Sequence, residues 1–322
     1  MAIATYARST YDEPISTGGN REDLSSLLSD VSPTDTPVVT MCGKTKATAT
    51  NHEWLVDALE AAAANAALEG GDMSATNTAD RSRLGNYTQI MTKNATVSGT
   101  QEKVLKGGGI KSEMAFQLAR RMKAIKNDAE FAIVGQSLAK AAGSTTVART
   151  MGSLDSYTVT NNQFAATGSS AVAGNGADVS DFAGTNRALT ETIFQAALQS
   201  VYDNSDSGDT LKCVTTSSSK VAISGFTGAD ARNASTDNKQ LVNTIDVYVG
   251  DFHTVEIIAD RKCLANTTFL INPEYLKIAE LRSARSFDVA RAGDAVKKQI
   301  IWEWTLEVGN EKAHCLIGDL TT

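Results

Sequence analysis

The feature that most constrains the fold of this 322-residue chain is an amphipathic stretch that opens behind Gly107-Gly108-Gly109. Ile110, Met114, Leu118, Met122, Ile125, Ala129 and Ile133 recur at spacings of three and four, with Lys111, Glu113, Arg120, Arg121, Lys123, Lys126 and Asp128 mostly on the rest of the circumference. That period predicts a helix with one buried face. Carried on to about Ala141, it would be on the order of 45 Å long at about 1.5 Å per residue. A helix of that length is a spine, longer than most in globular proteins.

What precedes the spine cannot bury itself. From Met1 to about Lys46 the chain is polar and holds Pro14, Pro33 and Pro37, three of its four prolines, around an apolar patch at Leu24, Leu27, Leu28 and Val31. Proline fixes φ and removes a donor, so this segment reads as an extended arm with one short helix. Two strand-like runs follow, His52 to Leu59 and Tyr87 to Val104, flanking a small-residue middle that includes Glu69-Gly70-Gly71-Asp72. They predict a long β-hairpin. A lone two-stranded hairpin is marginal in water, so a neighbouring chain or domain must cover it.

Beyond the spine, Gly143 to Gly184 is rich in small polar residues and reads as surface loops with a short strand at Tyr157 to Thr160. A second amphipathic helix is expected from Asn186, as N-cap, to Tyr202. A strand at Leu211 to Thr215, a Ser-capped helix at Ser217 to Phe226 and a hairpin turning at Gly250-Asp251 complete an α+β module. The C-terminal part returns to strands: Phe269 to Asn272, Ile300 to Val308, then Ala313 to Ile317 pairing back after the turn at Gly309 to Lys312, with a turn and short helix at Pro273 to Arg282.

Composition excludes several functions. No apolar run approaches the roughly 20 residues of a membrane span, and the first 20 residues lack the basic and apolar regions of a secretory signal, so the chain is expected to be made and kept in the cytoplasm. A formal charge of −7 argues against seizing nucleic acid through a broad basic face. Four scattered cysteines, Cys42, Cys213, Cys263 and Cys315, form no zinc or CxxC pattern and read as reduced, buried thiols.

The search for catalytic chemistry fails. His52, His253 and His314 are far apart, and HExxH, GxSxG and EF-hand patterns are absent. Gly107-Gly108-Gly109-Ile110-Lys111-Ser112 imitates a phosphate loop, but Ile110 stands where a glycine must precede the Lys-Ser pair. Asp203 to Asp209 imitates a calcium loop, but Val214 falls where a bidentate Glu is required. The chain is therefore read as a non-enzyme with no catalytic residue, cofactor or metal.

Taken in order, several segments resemble one family. Ser32-Pro33-Thr34-Asp35-Thr36-Pro37, Gly43-Lys44-Thr45-Lys46-Ala47, His52-Glu53-Trp54, Gly85-Asn86-Tyr87-Thr88-Gln89-Ile90, Val97-Ser98-Gly99-Thr100-Gln101 and Glu113-Met114-Ala115-Phe116-Gln117-Leu118 are followed by Trp304-Thr305-Leu306-Glu307-Val308 and Asn310-Glu311-Lys312-Ala313-His314. The set is similar to the major capsid, or major head, proteins of tailed bacteriophages (Caudoviricetes). The resemblance spans nearly the whole chain and is weakest from Gly143 to Gly184.

That resemblance implies an α+β, HK97-like capsid fold. Its N-terminal arm would match residues 1–51, its extended hairpin (E-loop) 52–103, its peripheral domain with the spine helix 104–143 and 269–322, and its axial domain 144–268. The implied function is self-assembly into hexamers and pentamers of an icosahedral head around double-stranded DNA. Trp54, Val56, Arg81, Arg83, Tyr87 and Ile90 are the candidate inter-subunit contacts, and Gly107, Gly108 and Gly109 the candidate hinge. Implied partners are copies of the chain, portal, scaffolding and decoration proteins, and packaged DNA through weak non-specific contact, with no membrane. Some relatives of the fold lock the shell through a Lys to Asn isopeptide bond; Lys93 and Lys103 lie in the expected hairpin, but neither is expected to crosslink. With no long coiled-coil segment before the arm, any scaffold is expected to be a separate protein or a short cleaved piece. An encapsulin-like nanocompartment shell and a phage tail-tube or surface-layer protein are the alternatives.

Overall fold

The structure is a computed structural model, and it describes residues 32–60, 62–64, 66, 69–71, 81–106, 110–165, 169–170, 172–206, 208, 210–226, 246–291 and 293–321. Most of the expected arm, the middle of the expected hairpin loop and the Gly107–Gly109 hinge lie outside these residues. In chain order, α1 (Pro37–Met41), β1 (Gly43–Lys46), β2 (Asn51–Val56), β3 (Ser82–Tyr87), β4 (Gln89–Ser98), α2 (Gly99–Lys103) and α3 (Glu113–Glu130) form the first half. Then come α4 (Glu191–Asn204), β5 (Thr210–Thr215), α5 (Ser217–Ser224), β6 (Val247–Val249), β7 (Thr254–Ala259), β8 (Thr268–Ile271), β9 (Leu276–Val289), β10 (Ala295–Val308) and β11 (Cys315–Ile317).

The expected spine is α3, and its start is firmly built. Ser112 Oγ accepts from Ala115 N at 3.2 Å, and the Glu102 carboxylate accepts from Glu113 N at 2.9 Å and Met114 N at 3.3 Å. Those free amides are the ones a phosphate would need, so the chain's own carboxylate fills the site that the glycine triplet imitates. The hydrogen bond from Ser112, followed by the two amides, holds the half-buried Glu102 carboxyl below its ordinary range.

The helix is shorter than the period suggested. After Glu130 it widens into a π-turn over Phe131–Gly135, and Gln136 is already extended. Ala132, Ile133, Val134 and Gly135 are consecutive and all buried, which no one-faced helix can achieve. The segment after β7 stops the helix: Leu264 N donates to Val134 O at 2.8 Å, and a Cβ on Gly135 would lie 2.4 Å from Lys262 O.

Two sheets and a hairpin organise the rest. The first sheet has the order β1-β9-β10-β4, with β1 parallel to β9 and the other pairs antiparallel. The second has the order β11-β8-β5-β7-β6, in which only β5 and β7 run parallel. The hairpin pairs β2 with β3, from Asn51 opposite Tyr87 to Val56 opposite Ser82.

The expected second strand, Tyr87 to Val104, is not the one that pairs with β2: the pairing strand is β3, most of which lies before Tyr87, the expected run itself is β4, and its last residues, Gly99–Lys103, are the helix α2. Only Ser82–Tyr87 pairs with β2; Gln89–Ser98 leaves to pair with β10 along its whole length. The break is Thr88, which is buried: its N–H donates to Thr50 O at 2.8 Å and its hydroxyl to Glu303 Oε1 at 3.1 Å. Parity follows from this. Met91, Ala95 and Val97 face inward on β4, so Ile90 points to the other side.

Strand β9 was not expected at all. Leu276 to Val289 is rich in Ala, Arg, Glu and Leu, which favour helix, yet β10 flanks it over nearly its whole length and tertiary pairing overrides the propensity. Its register against β10 slips twice, between Ile301 and Trp304. The C-terminal run pairs with β8 and not with β10. Helix α4 begins at Thr190, whose hydroxyl accepts from Ile193 N at 3.4 Å, and not at Asn186. Its neighbour Arg187 is held extended by backbone bonds to Asp319 O and from Thr321 N. Helix α5 is capped by Thr216, not Ser217, and around Tyr157 there is a single 3-10 turn, Leu154–Ser156, in place of a strand.

The two cores share the second sheet. Leu211, Cys213, Leu270, Cys315 and Ile317 pack with Phe194, Leu198 and Val201 of α4. Val214, Phe269, Ile271 and Leu316, on the opposite face by alternation, join Ile125 and Ile133 of the α3 segment, Tyr157 and Trp304. Strands β8 and β11 are thus buried on both faces. They lie in the sheet built mainly from the 144–268 segment, although the expected division placed them with the peripheral part.

Candidate assembly surfaces

The hairpin has two faces with different fates. His52, Trp54 and Val56 stand opposite Asn86, Leu84 and Ser82 on one face, and Glu53 and Leu55 opposite Gly85 and Arg83 on the other. The first face turns toward its own subunit. Trp54 is half-buried against the core that contains Tyr157, with the two ring centroids 5.9 Å apart. His52 Nε2 lies 2.9 Å from Glu307 Oε2 on β10. Trp54 therefore gains burial within its own chain, contrary to the expectation that a hairpin indole depends on a neighbour.

The root of the hairpin is locked by a buried amide. Asn86 Nδ2 donates to Leu306 O at 2.9 Å and Gly152 O at 3.3 Å, and Asn86 Oδ1 accepts from Gly152 N at 2.9 Å. Beside it, Gly85 O accepts from Lys140 Nζ at 2.6 Å and Tyr157 Oη at 3.1 Å. Burial shifts both donors toward their neutral forms: the Lys140 ammonium is pulled below its ordinary range and the Tyr157 phenol pushed above it.

Where the chain crosses from β3 to β4, Glu303 forms a second lock. Its side chain is 4 % exposed and accepts from Arg149 Nη2 at 2.7 Å, Arg282 Nε at 2.6 Å and Thr88 Oγ1 at 3.1 Å. Two guanidiniums and a hydroxyl satisfy a carboxylate that burial alone would make costly. The angle of the hairpin against the first sheet is set by these bonds.

The other face and the distal end are left open. Leu55 is 60 % exposed and Leu59 99 %. Ile90, on the outer face of β4, is 47 % exposed and, with Phe131, lines a groove of about 330 Å³ between β4 and the end of α3. Arg81 and Arg83 are exposed and pair across the hairpin with Asp57 at 3.3 Å and Glu53 at 3.6 Å. Tyr87 and Val56 are half-buried. Of the six residues singled out from the sequence, Arg81, Arg83 and Ile90 reach the open surface, and Trp54 faces inward. Leu55 and Leu59 share this open surface without having been singled out, although alternation from Trp54 puts Leu55 on the outward face.

The cysteines and His314 are all enclosed. All four cysteines are free and buried, and burial pushes their thiols up, Cys263 to about 12. His314 is buried, which lowers it to about 4, and its Nδ1 accepts from Asn272 N at 3.3 Å. Among the described residues no group of three His, Cys, Asp or Glu could hold a metal, and no helix is long and apolar enough to cross a membrane. Lys93 pairs with Asp128 at 2.6 Å.

A spine helix over a sheet, a second helix-covered sheet sharing its core, and a rooted hairpin with an open outer face define an α+β subunit of the HK97-like capsid fold. Solved capsid chains match it in fold. The capsid of a native GTA particle matches with TM-score 0.64 at 14% identity, over 98% of this chain and 100% of that one. The cyanophage A-1(L) capsid matches with TM-score 0.64 at 15% identity, over 96% and 99%. A chain of Mycobacterium phage Bobi matches with TM-score 0.60 at 9% identity, over 94% and 96%. The family model for the SU10 major capsid protein matches residues 7–321. The chain belongs to the SU10 major capsid protein family, and it is a major capsid protein of the tailed-phage type. No curated protein sequence matches it.

Proposed function

We propose that this capsid protein builds hexamers and pentamers through the outer face of its hairpin, closing an icosahedral head around phage double-stranded DNA. The observation that carries this reading is the contrast within one hairpin: a root fixed by Asn86 and Glu303, and a distal apolar surface at Leu55 and Leu59 left uncovered. A side chain as exposed as Leu59 contributes nothing to its own fold, and burying a leucine is worth about 1.5–3 kcal/mol. Repeated around a closed ring, small gains of that kind sum to a stable shell.

In this reading residues 1–51 are the arm and 52–103 the extended hairpin with its return strand. The α3 segment and β9–β10 form the peripheral domain. The axial domain is the 144–268 segment extended by β8 and β11, which complete its sheet. Arg81, Arg83, Tyr87 and Ile90 join Leu55 and Leu59 at the contact, with Trp54 and Val56 as its inner support. Gly107–Gly109 is the hinge that lets one sequence fit non-identical positions. Portal, scaffolding and decoration proteins are the partners, DNA is touched weakly and without sequence preference, assembly occurs in the host cytoplasm, and no catalysis is involved. The test is electron microscopy of the purified chain beside the double variant Leu55→Asp, Leu59→Asp. Particles from the parent and folded, unassembled subunits from the variant are expected. Normal particles from the variant would remove the hairpin face from the contact.

A further inference from the structure

We infer that the exposed face of α3 is the surface through which this chain touches packaged DNA, and that the subunit sits in the shell with that helix toward the lumen. The contact presupposes the proposed head closed around DNA, and it gives that head an inner face.

Charge in this chain is unevenly placed. Acids outnumber bases by 37 to 30 overall, yet residues 111–127 hold five cations and a single acid, Glu113. Met114, Ile125 and Ala129 are the buried side of α3. The helical period therefore sends Arg120 and Lys123 outward, with Arg121 and Lys126 on the two flanks. All four are exposed. They occupy about 9 Å of helix axis at about 1.5 Å per residue, which is roughly one charge per 2 Å. Duplex DNA carries one phosphate charge per about 1.7 Å of its axis.

The acids of α3 do not neutralise this ridge. Glu113 Oε1 accepts from Gln117 Nε2 at 2.7 Å, and Asp128 pairs with Lys93 at 2.6 Å. Glu130 accepts from Val38 N at 2.7 Å and Val39 N at 2.8 Å. Among the described residues, Arg120, Arg121 and Lys126 have no carboxylate partner. Arg120 lies over the Phe116 ring at 5.8 Å from its centroid, a contact that holds the guanidinium at the surface with its charge intact. Like charges three positions apart are neighbours on a helix and repel, so the cluster gains nothing for the fold; an external polyanion would relieve it. Phe116 is already under Arg120, and the ridge offers no other large apolar side chain to anchor a protein partner, so phosphates fit it better than an acidic polypeptide.

The first sheet separates this helix from the hairpin. Lys93 pairs with Asp128 of α3, Ala95 packs with Met114, and Trp302 shares a core with Ile125. By alternation Glu303 and Glu307 point to the opposite face of β10, where they meet Thr88 and His52. On that side Arg81 and Arg83 are engaged by Asp57 and Glu53, which leaves Glu60 and Glu69 exposed. A polyanion is drawn to the α3 side and repelled from the hairpin side. A shell filled with DNA then places α3 inward. The net charge of −7 keeps the grip of each copy weak.

Binding of a mixed-sequence duplex DNA to the purified, unassembled chain, followed by fluorescence anisotropy across a salt series, is the test. Four phosphate contacts give a slope of log K against log salt of about −3.6. In the triple variant Arg120→Gln, Arg121→Gln, Lys126→Gln the slope should shrink by about one for each cation removed, and affinity at low salt should fall at least about 10-fold. The triple variant Lys44→Gln, Lys212→Gln, Lys312→Gln changes the net charge equally on other surfaces and should keep the parent slope. No DNA binding by the parent at low salt, an unchanged slope in the first variant or an equal loss in the second would overturn the assignment. Preference for polyglutamate over DNA would overturn it in favour of an acidic protein segment, and a reconstruction with α3 on the outer surface would overturn the orientation. Electron microscopy keeps the two readings apart: absence of particles from the parent counts against the head, whereas an unchanged slope counts only against α3. Particles lost in the first variant alone would make this face an inter-subunit contact and not a DNA contact.

Discussion

The second sheet and the hairpin show two ways for strands to be stable. Every residue of β8 and β11 is buried, because alternate side chains enter the α4 core and the Trp304 core. The hairpin has a core on one side only, and Leu55 and Leu59 face away from it. The sheet is complete within one chain; the hairpin is complete only at its root. Under the proposed assembly reading, the body keeps the subunit's shape while the outer face of the hairpin gains its burial against copies of the chain.

The comparison can be broken first at the body. Trp304→Ala removes a fully buried indole from the first core and should cost about 3–5 kcal/mol, seen as a large fall in denaturant midpoint and a loss of soluble subunit. Wild-type stability would mean that the shared core is not what holds the two sheets together. Next comes the lock at the crossing. Glu303→Ala leaves Arg149 and Arg282 without their common carboxylate and should cost about 2–4 kcal/mol, with Arg282, half in solvent, limiting the loss. Asn86→Ala should cost about 1–3 kcal/mol by stranding the backbone groups of Gly152 and Leu306. Its exchange signature should be confined to the hairpin root. Smallest is Arg83→Ala, which breaks an exposed pair with Glu53 and should change subunit stability by less than about 0.5 kcal/mol. If that substitution also destabilised the subunit strongly, the outer face would not be open.

The sequence made some of this legible and concealed the rest for physical reasons. The spine showed itself because its buried face follows one period from Met114 to Ala129; its end did not, because the stop is the Lys262 carbonyl, about 130 residues further along the chain. Strand β10 was visible from the alternation of Trp302, Trp304, Leu306 and Val308. Its partner β9 was not, since helix-favouring residues adopt a strand once flanking strands supply their hydrogen bonds. Thr88 looks like any strand threonine and gives no local sign that it divides two sheets.

The assembly surface was legible only in part. Arg81, Arg83 and Ile90 are exposed, as a hairpin lying outside the core implies, whereas Trp54 packs beside Tyr157 of its own chain, a contact from far along the sequence that no local pattern announces. Leu55 would have followed from strict parity with Trp54.

A three-dimensional reconstruction of particles assembled from the purified chain is the most direct test. The account predicts that Leu55 and Leu59 lie under a neighbouring subunit, while Asn86 keeps its bonds to Gly152 and Leu306 of its own. A shell in which both leucines remain in solvent, or fold back onto their own core, would contradict it.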